Sequence, residues 1–264
     1  MLATCGALLG APAAQGQGPA RYTLQPSDTV IFSSIATNAR NKAVELNAAR
    51  PADNPRAVTQ YRQALGMLER GQFDSADASL QAVIIRAPGN ALYVGDMAYA
   101  QARAGMLEEA GDNFARAFQL QQQNAWFIAG VAAARGGYRQ FADAAGTIAL
   151  AAQTDSAVVT GPIATAAASW FEQAGDRTSA LVWARMAVAR QPDEPINYLR
   201  IASYLRARQD TTPEGMAAIR RYRGMRPDDK LGAALYADYL YNFGPRDSAF
   251  VMMTLAAQDT AYQE

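Results

Sequence analysis

The stretch ALYVGDMAYAQARAGMLEEAGDNFARAFQLQQQN, residues 91–124, decides the architecture of this chain. Ala98, Gly105, Ala110 and Phe114 punctuate it: a small residue, a turn glycine, a second small residue twelve places after the first, and a large apolar group four places later. Within its second half Ala110, Phe114, Ala117 and Leu120 fall on one helical face, while Glu108, Glu109, Asp112 and Arg116 point elsewhere. The unit therefore reads as two helices joined by a glycine turn.

Outward from this unit the same marks recur at a spacing near 34. The first small position repeats as Ala64, Ala98, Ala132, Ala168, Ala202 and Ala237, and the second as Ala76, Ala110, Ala144, Ala180, Gly215 and Ala249. Because alanine is abundant, other residue types carry the test. Gly71, Gly105, Gly175 and Gly244 mark turns, with Arg139 breaking the series; Leu80, Phe114, Ile148, Ile219 and Met253 follow the second small position, with Ala184 undersized. Pro88, Pro192 and Pro227 close units by removing a donor and constraining the residue before them, while Gln122 and Ser156 stand in that place elsewhere. Such a period describes a helix–turn–helix unit that cannot bury its apolar face alone and must stack on its neighbours.

At these residues the chain resembles the tetratricopeptide repeat family, and the resemblance covers roughly four-fifths of it. It implies an all-α, right-handed α-solenoid of six units at 57–90, 91–124, 125–158, 161–194, 195–229 and 230–263. The fifth unit departs most, since Asp210-Thr211-Thr212-Pro213 replaces the glycine turn and Tyr222 stands where a small residue is expected. Ala157-Val158-Val159-Thr160, in the spacer before the fourth unit, is the only tempting strand signal.

The resemblance also implies a concave groove lined by the first helix of each unit. The family's groove positions fall here on Tyr61, Glu69, Tyr99, Arg103, Ala133, Ser169, Gln173, Ser203, Arg206, Asp238 and Tyr241, with Trp126 at the edge. Some family members clamp a terminal carboxylate with Lys and Asn; those places hold Tyr61 and Leu65, Gly95 and Tyr99, Ala129 and Ala133, so that clamp is absent. An aromatic groove with sparse charge suits an extended or helical protein segment. Packing of Tyr99 and Trp126 between repeats is the competing reading.

The amino-terminal residues are of another kind. Residues 1–20 carry no charge, and 1–14 read as the apolar core and small-residue cleavage site of an export signal, with cleavage after Ala13 or Ala14. The charged start of such a signal is missing, so either translation begins upstream of Met1 or the signal is atypical. Leu2-Ala3-Thr4-Cys5 also looks like a lipobox whose Cys5 would be lipidated, though Thr4 fits poorly there. A periplasmic or secreted protein is the expectation, with membrane attachment only if Cys5 is lipidated. Residues 15–26 read as a linker, and 27–56 as a helix with Ile31, Ile35, Ala39, Ala43 and Leu46 in register that caps the open edge of the array at 57. At the far end Phe250, Val251, Met252, Met253 and Leu255 leave the last helix little polar face. Either the tail through Tyr262 folds over it, or it is a docking edge, including for a homodimer.

Chemistry is bounded by what is missing. The chain has no histidine, which removes the usual general base and the commonest metal ligand, and its one cysteine lies in the leader. Glu108/Glu109 and Asp228/Asp229 are sequence neighbours that read as surface charge, and no phosphate-binding glycine loop is present. No enzyme activity and no cofactor are expected. Lys plus Arg equals Asp plus Glu at 24 each, so no net field recruits nucleic acid. The Arg220, Arg221, Arg223 and Arg226 cluster reads as the solvated last turn of a helix. What remains is an interaction scaffold with a protein or peptide partner, or a lipid-anchored structural subunit of an envelope assembly.

Overall fold

A computed structural model of the protein describes residues 20–48 and 53–257. The leader, Cys5 and the tail through Tyr262 lie outside the described residues. A long helix, α1 (Pro26–Asn47), precedes six helix pairs: α2 (Pro55–Glu69) with α3 (Phe73–Arg86), α4 (Ala91–Arg103) with α5 (Leu107–Leu120), α6 (Ala125–Gly137) with α7 (Phe141–Thr154), α8 (Gly161–Gln173) with α9 (Arg177–Arg190), α10 (Pro195–Ala207) with α11 (Pro213–Met225), and α12 (Lys230–Phe243) with α13 (Arg246–Ala257). The partners within each pair pack closely, and each pair stacks on the next.

The small residues of the repeat are the contact points. Ala64, Ala98, Ala132, Ala168 and Ala202 are fully buried, as are Ala76, Ala110, Ala144, Ala180 and Ala249. Helices approach closely only where side chains are short, and the larger Leu80, Phe114, Ile148 and Ile219, also fully buried, fill the space between pairs. Helix starts are set by local polar groups: the Asn54 side chain accepts from the Arg56 amide at 2.9 Å, and Asp229 from Gly232 at 2.6 Å.

Five of the six turns between paired helices hold one residue in the left-handed region, which Gly71, Gly105 and Gly175 supply with φ of 71°, 81° and 84°, whereas Gly244 before α13 is extended at φ −140°. Arg139 and Gln209 hold the same conformation at φ 67° and 54°, so the turn persists where the glycine does not. Gln209 takes this role one residue before the Asp210–Pro213 insertion. The fifth pair also accommodates Tyr222, because Gly232 on α12 leaves the space its ring fills: a Cβ there would lie 2.4 Å from Tyr222 Cε1. The tempting strand at 157–160 is instead a 3₁₀ turn, Ser156–Val158, capped by Asp155 and burying Val158 and Val159 under the neighbouring helices.

Two expectations for the N-terminal region fail. Helix α1 does not cover the outer edge of the first pair; it lies along α4 and α6 and reaches α8. The outward face of α2 carries Arg56, Thr59, Arg62 and Gln63, all exposed, so it offers an apolar helix nothing to bury. The end of the presumed linker is docked as well. Tyr22 N donates to Gly105 O at 2.8 Å, its hydroxyl to Glu108 Oε1 at 2.7 Å, and Arg21 pairs with Asp74 at 2.7 Å. A Cβ on Gly105 would stand 2.5 Å from the Tyr22 carbonyl, so the crossing needs glycine.

Candidate functional site, a groove with a resident helix

First helices of successive pairs form the surface on which α1 lies. The α1 face turned to them is short in its middle, with Ala36, Ala39 and Ala43, and bulky toward its start, with Ile31, Phe32 and Ile35, all buried. Ala36 and Ala39 lie by Leu92 and Gly95 of α4 and Phe127 of α6. Gly95 is required by Phe127, whose Cε1 would sit 2.4 Å from a Cβ at that place.

Polar groups fix the register of this packing. Asp96 on α4, 2% exposed, accepts Arg40 Nη2 at 2.8 Å and the Tyr61 hydroxyl at 2.5 Å. Burial, and then the adjacent Asp96 carboxylate, raise Tyr61 well above the usual tyrosine range, so it stays a proton donor. The side chain of Asn124, fully buried, donates to the Ala39 carbonyl at 2.9 Å, and Asn47 Nδ2 to Asn90 Oδ1 at 3.1 Å. Near the start of α1, Arg103 donates to the Tyr99 hydroxyl at 2.9 Å and lies 4.5 Å from the Phe73 ring centre, while Tyr99 and Ser33 hydroxyls are 3.3 Å apart.

The groove residues expected from sequence thus divide in two. Tyr61, Tyr99 and Arg103 bond within the α1 network, and Trp126 and Ala133 are buried on α6. Glu69 remains exposed, beside a narrow cleft between α1 and α2. Further along, Ser169 and Ser203 are half-buried and Gln173 is exposed; Arg206 pairs with Asp238 between α10 and α12; Tyr241 is 45% exposed beside Arg246. Asp96, Arg40 and Asn124 are absent from the sequence reading. The one available signal was Asp96 itself, a lone carboxylate inside the apolar run Ala91–Ala100.

Magnitude decides whether α1 is a loose plug. Burying Ile31, Phe32 and Ile35 contributes on the order of 5–9 kcal/mol at about 1.5–3 kcal/mol for each large apolar side chain. That is comparable to the whole stability of an ordinary domain, about 5–15 kcal/mol. Helix α1 is therefore part of the core, and the groove that remains accessible begins where α1 meets α8.

At the far end Phe250 and Val251 are 59% and 58% exposed, Met253 41%, and Met252 is half-buried. Arg223 holds the last turn of α11, its Nη1 reaching the Pro227 carbonyl and, at 3.2 Å, that of Asp229. Among the described residues no group of three Cys, Asp or Glu could hold a metal ion, and no helix is long and apolar enough to cross a membrane.

No known family's sequence profile matches the chain, and no curated protein is similar to it in sequence. Solved structures are similar in shape. YrrB, described as a TPR protein with an unusual peptide-binding site, is 15% identical and superposes with a TM-score of 0.60 over 69% of this chain and 93% of its own. The fold is a tetratricopeptide-like α-solenoid. MamA from Desulfovibrio magneticus RS-1 is similar to the same solenoid, with 14% identity and a TM-score of 0.58 over 67% of this chain and 96% of its own. Another MamA structure reaches a TM-score of 0.52 at 12% identity, over 62% of this chain and 94% of its own. At these identities the likeness speaks to the tetratricopeptide-like fold alone.

Proposed function

We propose that this protein is a non-catalytic interaction scaffold of the bacterial envelope that holds a segment of a partner protein in the groove of its solenoid. One observation carries the reading: the first helices form a trench that already accommodates a helix 22 residues long, α1, through small residues and a few directed polar bonds. A surface with that shape recognises helical segments by apolar anchors and spaced polar contacts. The described peptide-binding site of YrrB agrees with such a role without specifying it.

Photo-crosslinking in the native host tests this. A benzophenone amino acid at Ile196, 37% exposed beside the cleft between α8 and α10, or at Leu231, 65% exposed at the same second position of α12, yields discrete protein adducts, whereas the same group at Ile85 of α3, 81% exposed, does not. Equal labelling at all three sites, or none at any, rejects the groove. Export is proposed from the leader-like residues 1–14. The mass of the mature N-terminus checks it: Ala14 or Gln15 as first residue supports a released periplasmic or secreted form, a diacylglyceryl Cys5 supports the anchored subunit, and an intact leader rejects both.

A further inference from the structure

Past α1, the places that are covered on the earlier first helices lie bare. Leu92, the second residue of α4, packs by Ala36 and Ala39 of α1, and Trp126, the second residue of α6, is 6% exposed. The same place on α10 and α12 holds Ile196 and Leu231, 37% and 65% exposed. Two clefts meet at Ile196: one of about 420 Å³ between α1, α8 and α10, and one of about 540 Å³ between the starts of α10 and α12.

The residues at the helix starts distinguish this surface from the filled trough. Asn90 and Asn124, at the N-caps of α4 and α6, are neutral amides and both bond to α1: Asn90 accepts from Asn47, and Asn124 donates to the Ala39 carbonyl. At the N-caps of α10 and α12 stand Glu194 and Asp229. Ionised carboxylates only accept, so a helix seated over them brings donors, and cationic donors bond best. Glu194 is half-buried and makes no side-chain cap bond; Asp229 Oδ2 accepts from the Gly232 amide at 2.6 Å, and Asp228 is exposed beside it. Asp28, in the first turn of α1, adds a further carboxylate to the clefts. Of the guanidiniums that line them, Arg200 is 14% exposed and paired with Glu172 at 3.3 Å, which leaves Arg226 as the exposed one. The accessible charge is mostly acidic.

We propose that the starts of α10 and α12 take a basic amphipathic helix of a partner protein, apolar toward Ile196 and Leu231 and carrying two cationic side chains that reach Glu194 and Asp229. The inference rests on the groove being an interaction surface and adds where the partner lies and which charge it brings. Helix α1 stays in place. It also supplies the spacing: its two points of attachment to the earlier N-caps, Ala39 and Asn47, are eight residues apart, about 12 Å along a helix at 1.5 Å per residue. A partner helix lying the same way places its cations at a similar interval, and the complementary sign sets its register.

The test uses the full chain and a fluorescein-labelled, amidated synthetic peptide of residues 26–47 bearing Ala39→Lys and Asn47→Lys. Lysine at 39 also bars the peptide from the filled trough, where Ala39 is 3% exposed. Fluorescence anisotropy shows saturable binding, several-fold weaker for a peptide with Gln at both places and at least tenfold weaker with Glu at both. Glu194→Gln with Asp229→Asn in the protein, which keeps an acceptor at each N-cap, weakens the Lys peptide at least tenfold, as does Leu231→Asp. Ile85→Asp on α3 leaves binding unchanged. Far-UV circular dichroism establishes that each variant is folded, and Glu194→Gln alone carries the test if the double variant unfolds. Absence of saturable binding, equal binding of the three peptides, or binding unmoved by the N-cap variants overturns the proposal. Amides of α1 keep their hydrogen-exchange protection when the peptide binds; loss of that protection means that the peptide displaces α1, which overturns the assignment. The host experiment separates the two readings. Adducts at Ile196 and Leu231 with a partner segment that lacks the pair of cations overturn this inference and leave the groove an interaction surface. Peptide binding as described, with no adduct in the host, overturns the groove reading instead.

Discussion

Arg40 of α1 and Asp96 of α4, 56 residues apart, meet through a forked ion pair with Nη2 2.8 Å from Oδ1 and Nε 3.1 Å from both carboxylate oxygens. Asp96 is buried while the Arg40 side chain is 32% exposed, so solvent screens the pair on one side only. Arg40→Ala leaves the carboxylate with Tyr61 as its remaining partner from this network and costs about 2–3 kcal/mol, less than the 3–5 kcal/mol of a fully buried pair. Arg40→Met with Asp96→Asn, which keeps an acceptor for Tyr61, regains at least half of that loss. Urea unfolding of the wild type, Arg40→Met, Asp96→Asn and the double variant gives the coupling directly.

Glycines on the helices separate into two kinds. Gly232→Ala places a Cβ 2.4 Å from Tyr222 Cε1 and destabilises by about 1–2 kcal/mol, with part of the loss recovered by adding Tyr222→Leu. Gly146→Ala, where no atom lies within 4 Å, stabilises α7 by about 0.5–1 kcal/mol. Opposite shifts in the unfolding midpoint check the contrast.

Two turns carry a side chain where glycine is at ease. Arg139→Gly and Gln209→Gly each remove the penalty of a left-handed non-glycine residue, at φ 67° and 54°, and raise stability by about 0.5–1 kcal/mol. Gly175→Ala, at φ 84° with open space around it, loses a similar amount through backbone strain alone. Thermal unfolding of the three variants tests whether conformation rather than contact governs these turns.

Alkali should unfold the array through its buried tyrosines. Burial pushes Tyr239 up to about 12, and it raises Tyr61 and Tyr204 as well. An unfolded tyrosine ionises near pH 10, so between about pH 10 and pH 12 the unfolded chain releases protons that the folded chain retains. Stability present below about pH 10 is therefore lost as pH rises through this window, by about 2–3 kcal/mol for Tyr239. Tyr239→Phe flattens part of the fall in urea midpoint measured from about pH 9 upward.

The fold was legible because packing repeats. Ala98, Gly105 and Phe114 each do a fixed geometric task, and the same task at Ala132 or Gly175 demands the same kind of residue. Arg139 read as a break in the glycine series, and Gln209 went unmarked, because a left-handed turn is a property of the backbone that glycine favours without being necessary to it. The groove was only half legible. Offsets placed Tyr99 and Arg103 on the face along which α1 lies, but the same small-residue stripe on α1, Ala36, Ala39 and Ala43, suits an edge cap as well as a trench. What chooses between them is the Arg40–Asp96 pair, a contact between residues far apart in sequence with no periodic signature.

Seating α1 across two first helices also constrains how such an array can lengthen. A repeat inserted between α4 and α6 would part Asp96 from Asn124, the two groups that grip Arg40 and the Ala39 carbonyl of the same rigid helix. Repeats added after α8 meet no such strap. A repeat can therefore be added or removed in the C-terminal half without breaking this grip, while α1 and the pairs that hold Asp96 and Asn124 can change only together.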